Sequence, residues 1–230
     1  MKRSVEPTSE LGPVRAYAGL GVLVVHVLVA PYVLNDPGSW AAVVLHLVLH
    51  GLLFVILIGL IGKRWQAVWC VGLIVLATGV RMVVPVENVW WQGVADAALV
   101  LCGVVVMVLG LRRLVASRRV TGALISGAVS LYLLSGVVWA LVFHAMEVAW
   151  PGSFSMGAGV GERSVTAGDL YYFSFVTLTT LGYGDVSPAT AVARSLAVVE
   201  AVFGQVYLIV WLGRLVSLQV SSVFAQRGVA

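Results

Sequence analysis

Charge is what this chain lacks. Only 10% of its 230 residues are Asp, Glu, Lys or Arg, and 60% are hydrophobic. Ordinary soluble domains carry about 25% charged residues. The scarcity excludes a soluble globular domain and points to an all-α protein embedded in a membrane. The net charge of +4 is no argument for a nucleic-acid partner, because the basic residues sort by side of the membrane. Cysteine is scarce too: Cys70 and Cys102 are the two, both inside apolar stretches. That excludes a disulfide framework and favours packing roles. No nucleophile triad, nucleotide loop or metal constellation is apparent, so the reading is not an enzyme, and no cofactor is implied. A cleavable leader is not apparent either. The first fifteen residues are polar, with Pro7 and Pro13, and the apolar stretch after them is long enough to span.

What the chain has in quantity is long uncharged runs. A span needs about 20 mostly apolar residues. Six candidates appear, at residues 16–34, 40–62, 65–84, 94–111, 120–146 and 189–216. Asn35-Asp36-Pro37-Gly38 breaks the first from the second, as turn chemistry predicts. With the amino terminus in the cytoplasm, Lys2, Arg3, Arg15, Lys63, Arg64, Arg112, Arg113, Arg118, Arg119, Arg214 and Arg227 lie inside. Those are eleven of the fourteen basic residues; only Arg81, Arg163 and Arg194 lie toward the outside. Both termini are therefore expected in the cytoplasm of a multi-pass plasma-membrane protein. Trp40, Trp65, Trp90, Trp91 and Trp150 sit near span ends, where aromatic belts form. The segment between the fifth and sixth spans opens outward.

That segment holds Thr179-Thr180-Leu181-Gly182-Tyr183-Gly184-Asp185. Non-helical backbone at membrane depth is tolerated only where protein buries it or where it lines an aqueous path. Glycine reaches backbone angles closed to other residues, so a Gly-Tyr-Gly run lets consecutive carbonyls turn the same way. A ring of such carbonyls can replace the water around a dehydrated cation. Thr180-Leu181-Gly182-Tyr183-Gly184-Asp185 resembles the selectivity filter of tetrameric potassium channels, usually Thr-Val-Gly-Tyr-Gly-Asp. Leu181 replaces the usual valine and the other five positions match.

The resemblance implies six transmembrane helices plus a re-entrant pore helix and filter loop, four copies closing around a central pore. Residues 1–15 would be a cytoplasmic tail, 16–114 a four-helix domain, 115–119 a linker, 120–218 the pore domain and 219–230 a second tail. Potassium ions would meet the carbonyls of Thr180, Leu181, Gly182 and Tyr183, with Gly184 completing the filter and the Thr180 hydroxyl at the inner mouth. Asp185 would sit behind the outer mouth, within reach of Tyr172. A pore helix is expected over 170–179, capped by Asp169 and ending at Thr179, its carboxyl end facing the cation. Tyr171 to Phe175 would form an aromatic cuff around the filter, with the Tyr183 ring turned back into it. In the sixth helix, Gly204 falls where relatives carry a hinge glycine; close helix packing is the other reading. Gln205, Leu208 and Leu212 would line the cavity. Glu200 is a mid-span carboxylate, read either as a gating or proton-sensing group or as a partner of Ser174, Thr177 or Thr179 behind the filter.

The first four helices resemble a voltage sensor in number alone. Between Asp96 and Arg112 the fourth carries no charge, so the expectation is a voltage-insensitive channel. Arg112, Arg113, Arg118 and Arg119 read as inner anchors or an anionic-lipid contact. Arg81 and Asp96 are expected to pair, His144 to be interfacial, and Arg194 to reach a neighbouring copy. His26, His46 and His50 fall at similar depths or on one helix face, which admits a haem, metal or proton site as well as interhelical hydrogen bonding. With tails this short, no cytoplasmic ligand domain is expected. The rival readings are a weakly selective cation channel of the same fold, a membrane haem or metal protein using those histidines, and a potassium-uptake transporter subunit.

Overall fold

The computed structural model describes residues 11–35, 72, 89–117, 119–157 and 163–227. The second expected span and, apart from Gly72, the third, with His46, His50 and Arg81, lie outside the described residues. Helix α1 runs Leu11–Asn35, α2 Val89–Ala116, and α3 Gly122–Ala149. A short strand β1, Phe154–Met156, follows. Then come α4, Ala167–Leu178, strand β2, Val186–Pro188, and α5, Ala191–Arg227. Among the described residues, Gly93–Ala116, Gly122–Ala149 and Ala191–Val220 are long and apolar enough to cross a membrane, and Tyr17–Pro31 is a shorter apolar helix.

These helices coincide with the first, fourth, fifth and sixth expected spans and overrun most of their ends. Helix α1 begins at Leu11, inside the expected polar tail, because Pro13 falls in the first turn, where the amides have no intrahelical partner anyway. Helix α2 extends through Arg112 and Arg113. Cations suit a last turn, where the carbonyl ends gather partial negative charge.

Helix α3 is the central post, packed against α1, α2, α4 and α5. Its buried stripe includes Ser126, Gly127, Ala128, Ser130, Ser135, Gly136 and Ala140. Small residues let helices approach closely where no hydrophobic force separates protein from lipid. At Gly136 the approach is tight enough that a Cβ would sit 2.7 Å from the Phe175 ring. Thr121 caps the helix by accepting the Leu124 amide at 3.2 Å.

The core divides by depth. In the inner half, Leu124, Leu131 and Leu134 of α3 pack with Tyr207 and Trp211 of α5 and Leu23 of α1, and Tyr207 donates to the Ala128 carbonyl at 2.7 Å. In the outer half, Phe143, Phe154 and Phe173 meet edge to face, with ring centroids 5.3 to 5.4 Å apart. Phe143 is completely buried there. Between these layers, Ala30 of α1 packs with Val137, Ala140 and Tyr171, and partly buried Phe175 closes the group.

Among the described residues, one short strand pair sits within the otherwise helical fold. Strands β1 and β2 run antiparallel, with Phe154 opposite Pro188, Ser155 opposite Ser187 and Met156 opposite Val186. The connection that follows α3 is tied down over this stretch. Glu147, at the end of α3, accepts the Gly152 amide at 2.8 Å and the Phe154 amide at 3.0 Å, and Phe154 is buried among the aromatics.

Candidate functional site

Helix α4 delivers the chain to the site. Its N-cap is Thr166, three residues ahead of the expected Asp169. The Thr166 hydroxyl oxygen accepts the Asp169 amide at 3.2 Å, and the Asp169 carboxylate accepts the Thr166 amide at 2.8 Å. This reciprocal pair is a capping box, so Asp169 serves as its third helical residue and not as the cap. Arg163 grips the same carboxylate through two nitrogens, at 2.6 and 2.7 Å. Burial alone would raise the Asp169 carboxyl; the hydrogen bonds from Arg163 and Thr166 and the Arg163 charge hold it below its ordinary range.

At the other end α4 stops at Leu178, and Thr179 is its C-cap. The chain then folds back onto the last turn. Thr179 N donates to Phe175 O at 3.1 Å, Thr180 N to Thr177 O at 3.0 Å, and Leu181 N to Val176 O at 2.9 Å. The Tyr132 hydroxyl reaches from α3 to Leu178 O at 3.1 Å. The final carbonyls of α4, which have no intrahelical donors, are thus satisfied by the segment they anchor. Their partial negative charge lies at the start of that segment, where a cation is favoured.

From Thr180 to Gly184 the backbone alternates in hand. Thr180, Gly182 and Gly184 have φ of 60°, 60° and 77°, while Leu181 and Tyr183 stay in the ordinary negative range. Glycine reaches the left-handed region freely. A β-branched residue there is strained, and such strain concentrates at functional positions. Thr180 through Gly184 are all exposed within the chain, Leu181 at 59% and Tyr183 at 67%.

The outer flank is clamped. Gly157 N donates to Asp185 O at 2.7 Å, and Ala189 N to Ser153 O at 2.8 Å. A Cβ on Gly157 would lie 2.6 Å from Gly184 O, so glycine is needed for this approach. Tyr172 lies within hydrogen-bonding reach of the Asp185 side chain. The expected aromatic cuff does not close around the chain's own filter segment. Tyr171 and Phe175 pack toward α1 and α3, and Phe173 packs with Phe143 and Phe154. Of the group, Tyr172 turns toward Asp185 and Tyr183.

Behind the segment, Glu200 of α5 is fully buried, its Oε1 2.6 Å from the Ser174 hydroxyl oxygen. Gly204, one turn on, abuts the end of α4: a Cβ there would sit 2.4 Å from Leu178 O. Of the two readings of Gly204, the close approach is the one with a contact behind it. Gln205 points its amide nitrogen at the Thr180 hydroxyl oxygen over a long 3.5 Å, and Leu208 and Leu212 are exposed on the same helix.

Four pairings outside the Thr180 to Gly184 segment differ from the expectations or had no counterpart among them. Asp96, fully buried on α2, meets His144 Nδ1 of α3 at 2.9 Å. It was expected to pair with Arg81, which lies outside the described residues, and His144 was expected at the membrane interface. Arg194 Nε donates to Pro188 O at 3.2 Å within its own chain. Arg214 of α5 donates to Val115 O and, at 2.9 Å, to Ser117 O, tying the inner helix to the end of α2. His26 is buried and meets Tyr171 edge to face at 5.8 Å, so α1 touches α4 directly. No cluster of three His, Cys, Asp or Glu able to hold a metal occurs among the described residues.

Residues 127–220 match the model of a family described as ion channel. The match runs from α3 through α5 and is to channels, not to an enzyme family. The two pore potassium channel c of Oryza sativa subsp. japonica is 34% identical over 87 residues, 38% of this chain and 18% of that protein. The two-pore potassium channel 4 of Arabidopsis thaliana is 45% identical over 49 residues, 21% of this chain and 17% of that protein. The chain thus spans less than a fifth of either relative. No solved structure matches. Three membrane-length helices among the described residues and a segment that matches an ion channel family indicate a helical membrane protein.

Proposed function

We propose that this chain is one subunit of a homotetrameric, potassium-selective channel that conducts passively and lacks a working voltage sensor. The observation that carries the reading is the Thr180 to Gly184 segment: its backbone alternates in hand, it starts at the carboxyl end of α4, and both flanks are pinned. Carbonyls held that way can stand in for the hydration shell of a cation. Potassium is the ion because five of the six filter positions match the potassium pattern and both similar plant proteins are named as potassium channels.

One chain offers one quarter of a coordination ring. Tyr183 and Leu181 stand exposed in the single chain, and three further copies would cover them and close the ring. Oligomers of this kind close by cyclic symmetry. In that assembly Gln205, Leu208 and Leu212 would line the cavity below Thr180, and Arg112, Arg113 and Arg119 would meet anionic lipid at the inner membrane surface. The six-helix topology, with both ends in the cytoplasm of a plasma-membrane protein, belongs to the same proposal. The role left to the first helices is to brace the pore, and His26 against Tyr171 is one such brace.

Reconstitution into liposomes tests the reading. Potassium-loaded vesicles should sustain a flux that sodium-loaded vesicles do not, and native mass measurement should give four chains. Equal fluxes for the two ions, or conduction by a verified monomer, would refute it.

A further inference from the structure

Ser174, in the middle of α4, sits between two oxygens. Its Oγ lies 2.8 Å from the Gly136 carbonyl of α3 and 2.6 Å from Glu200 Oε1 of α5. A serine hydroxyl has one hydrogen to give and lone pairs to accept with, and a carbonyl has none to give. If the serine hydrogen goes to Glu200, two bare oxygens face each other at 2.8 Å on the other side. If it goes to Gly136, the 2.6 Å contact needs a hydrogen from Glu200. Only a protonated Glu200 supplies both bonds.

The surroundings agree. Glu200 is completely buried, and its Oε2 has no hydrogen-bond partner among the described residues. Among the described residues no basic side chain forms an ion pair with it; the two ion pairs there lie at Asp96–His144 and Arg163–Asp169. A buried anion without a cation or a full set of donors is costly, whereas a neutral acid needs neither. Tyr132, the titratable group facing this point from α3, spends its hydrogen on Leu178 O.

We infer that Glu200 is a neutral acid that donates to Ser174, which donates in turn to Gly136, a relay across three helices that positions the filter. Position follows from spacing. Glu200 meets Ser174, and Gly204, four residues on, meets Leu178, four residues after Ser174. Helices α4 and α5 are therefore pinned at two points one turn apart, the second of them two residues before Thr180. The positioning role rests on the channel reading; the proton does not.

Infrared difference spectroscopy of the purified full chain reads the proton without any ion flux. At neutral pH, Glu200→Gln should remove a carbonyl stretch of a protonated carboxyl. Removal of carboxylate bands alone would overturn the inference. Ser174→Ala leaves Glu200 in place but takes away its acceptor, so the same band should move to higher frequency. An unmoved band would overturn the relay, and this arm decides the matter even if the glutamine variant fails to fold. For position, the glutamine amide can still donate, so Glu200→Gln should keep potassium over sodium selectivity while Glu200→Ala loses it. Equal selectivity in both variants would show that the contact does not position the filter.

Discussion

Gly204→Ala separates two views of the inner helix. If Gly204 is a flexible hinge, alanine stiffens the helix and gains the helix propensity that glycine forfeits, about 1 kcal/mol. If it is a spacer, the new methyl meets Leu178 O at 2.4 Å. That oxygen is backbone, at the end of the helix that leads into Thr180, and it already accepts from Tyr132. It cannot swing aside as a side-chain tip can. Overpacking of this kind costs typically about 1–3 kcal/mol. Set against the propensity gain, the net runs from about zero to about 2 kcal/mol of destabilisation. Gly213 is the internal control: it is on the same helix, and no described atom lies within 4 Å of a Cβ built there. Thermal melting of purified Gly204→Ala and Gly213→Ala should move in opposite directions, down for the first and up for the second. For a chain of this size each kcal/mol shifts the midpoint by roughly 2–4 °C. Because the clash is two residues from Thr180, Gly204→Ala should also lower potassium selectivity. Equal stabilisation by both alanines, with selectivity intact, would refute the spacer account and restore the hinge.

Three other outcomes follow from the site. Gly182→Ala places a Cβ at φ 60°, a region that costs an ordinary residue roughly 1–2 kcal/mol, and should abolish selective conduction while leaving the helical content by circular dichroism unchanged. The Asp169 carboxyl is held below its ordinary range, so its folded-state stabilisation is fully present above the usual carboxylate range and is lost as external pH falls through the depressed value; melting of the wild type should therefore weaken more steeply in acid than that of Asp169→Asn. Voltage steps over a wide range should change open probability little, because one elementary charge is worth about 2.3 kcal/mol per 100 mV and α2 offers none between Asp96 and Arg112; gating currents that survive pore block would contradict this.

The helix that delivers the Thr180 to Asp185 segment was legible because its signals are local. Thr180 to Asp185 is a contiguous pattern, and apolar length marks the three described helices long enough to cross a membrane. The capping box was also local: Thr166 and Asp169 stand at the spacing of a Thr-x-x-Asp start, and reading Asp169 as the cap overlooked its partner three residues back. What stayed hidden depends on residues far apart in the chain. Asp96 and His144 are 48 positions apart, and no periodicity on either helix announces the pair. Strands β1 and β2 have three residues each, too few for an alternating pattern. They exist because Glu147 holds the amides of Gly152 and Phe154, and because Phe154 completes an aromatic cluster whose other members come from α3 and α4. The direction of the α4 aromatics was equally unreadable. Tyr171 and Phe175 are drawn toward α1 and α3 by small residues such as Ala30, Ala140 and Gly136, a pull visible only once the helices are packed.

The central claim is that four copies of the Thr180 to Gly184 backbone select potassium. A planar bilayer holding the purified protein, with potassium on one side and sodium at equal concentration on the other, tests it most directly. The account predicts a reversal potential displaced far from zero in the direction set by the potassium gradient, and loss of that displacement in Gly182→Ala. A reversal potential near zero for the wild type would contradict it.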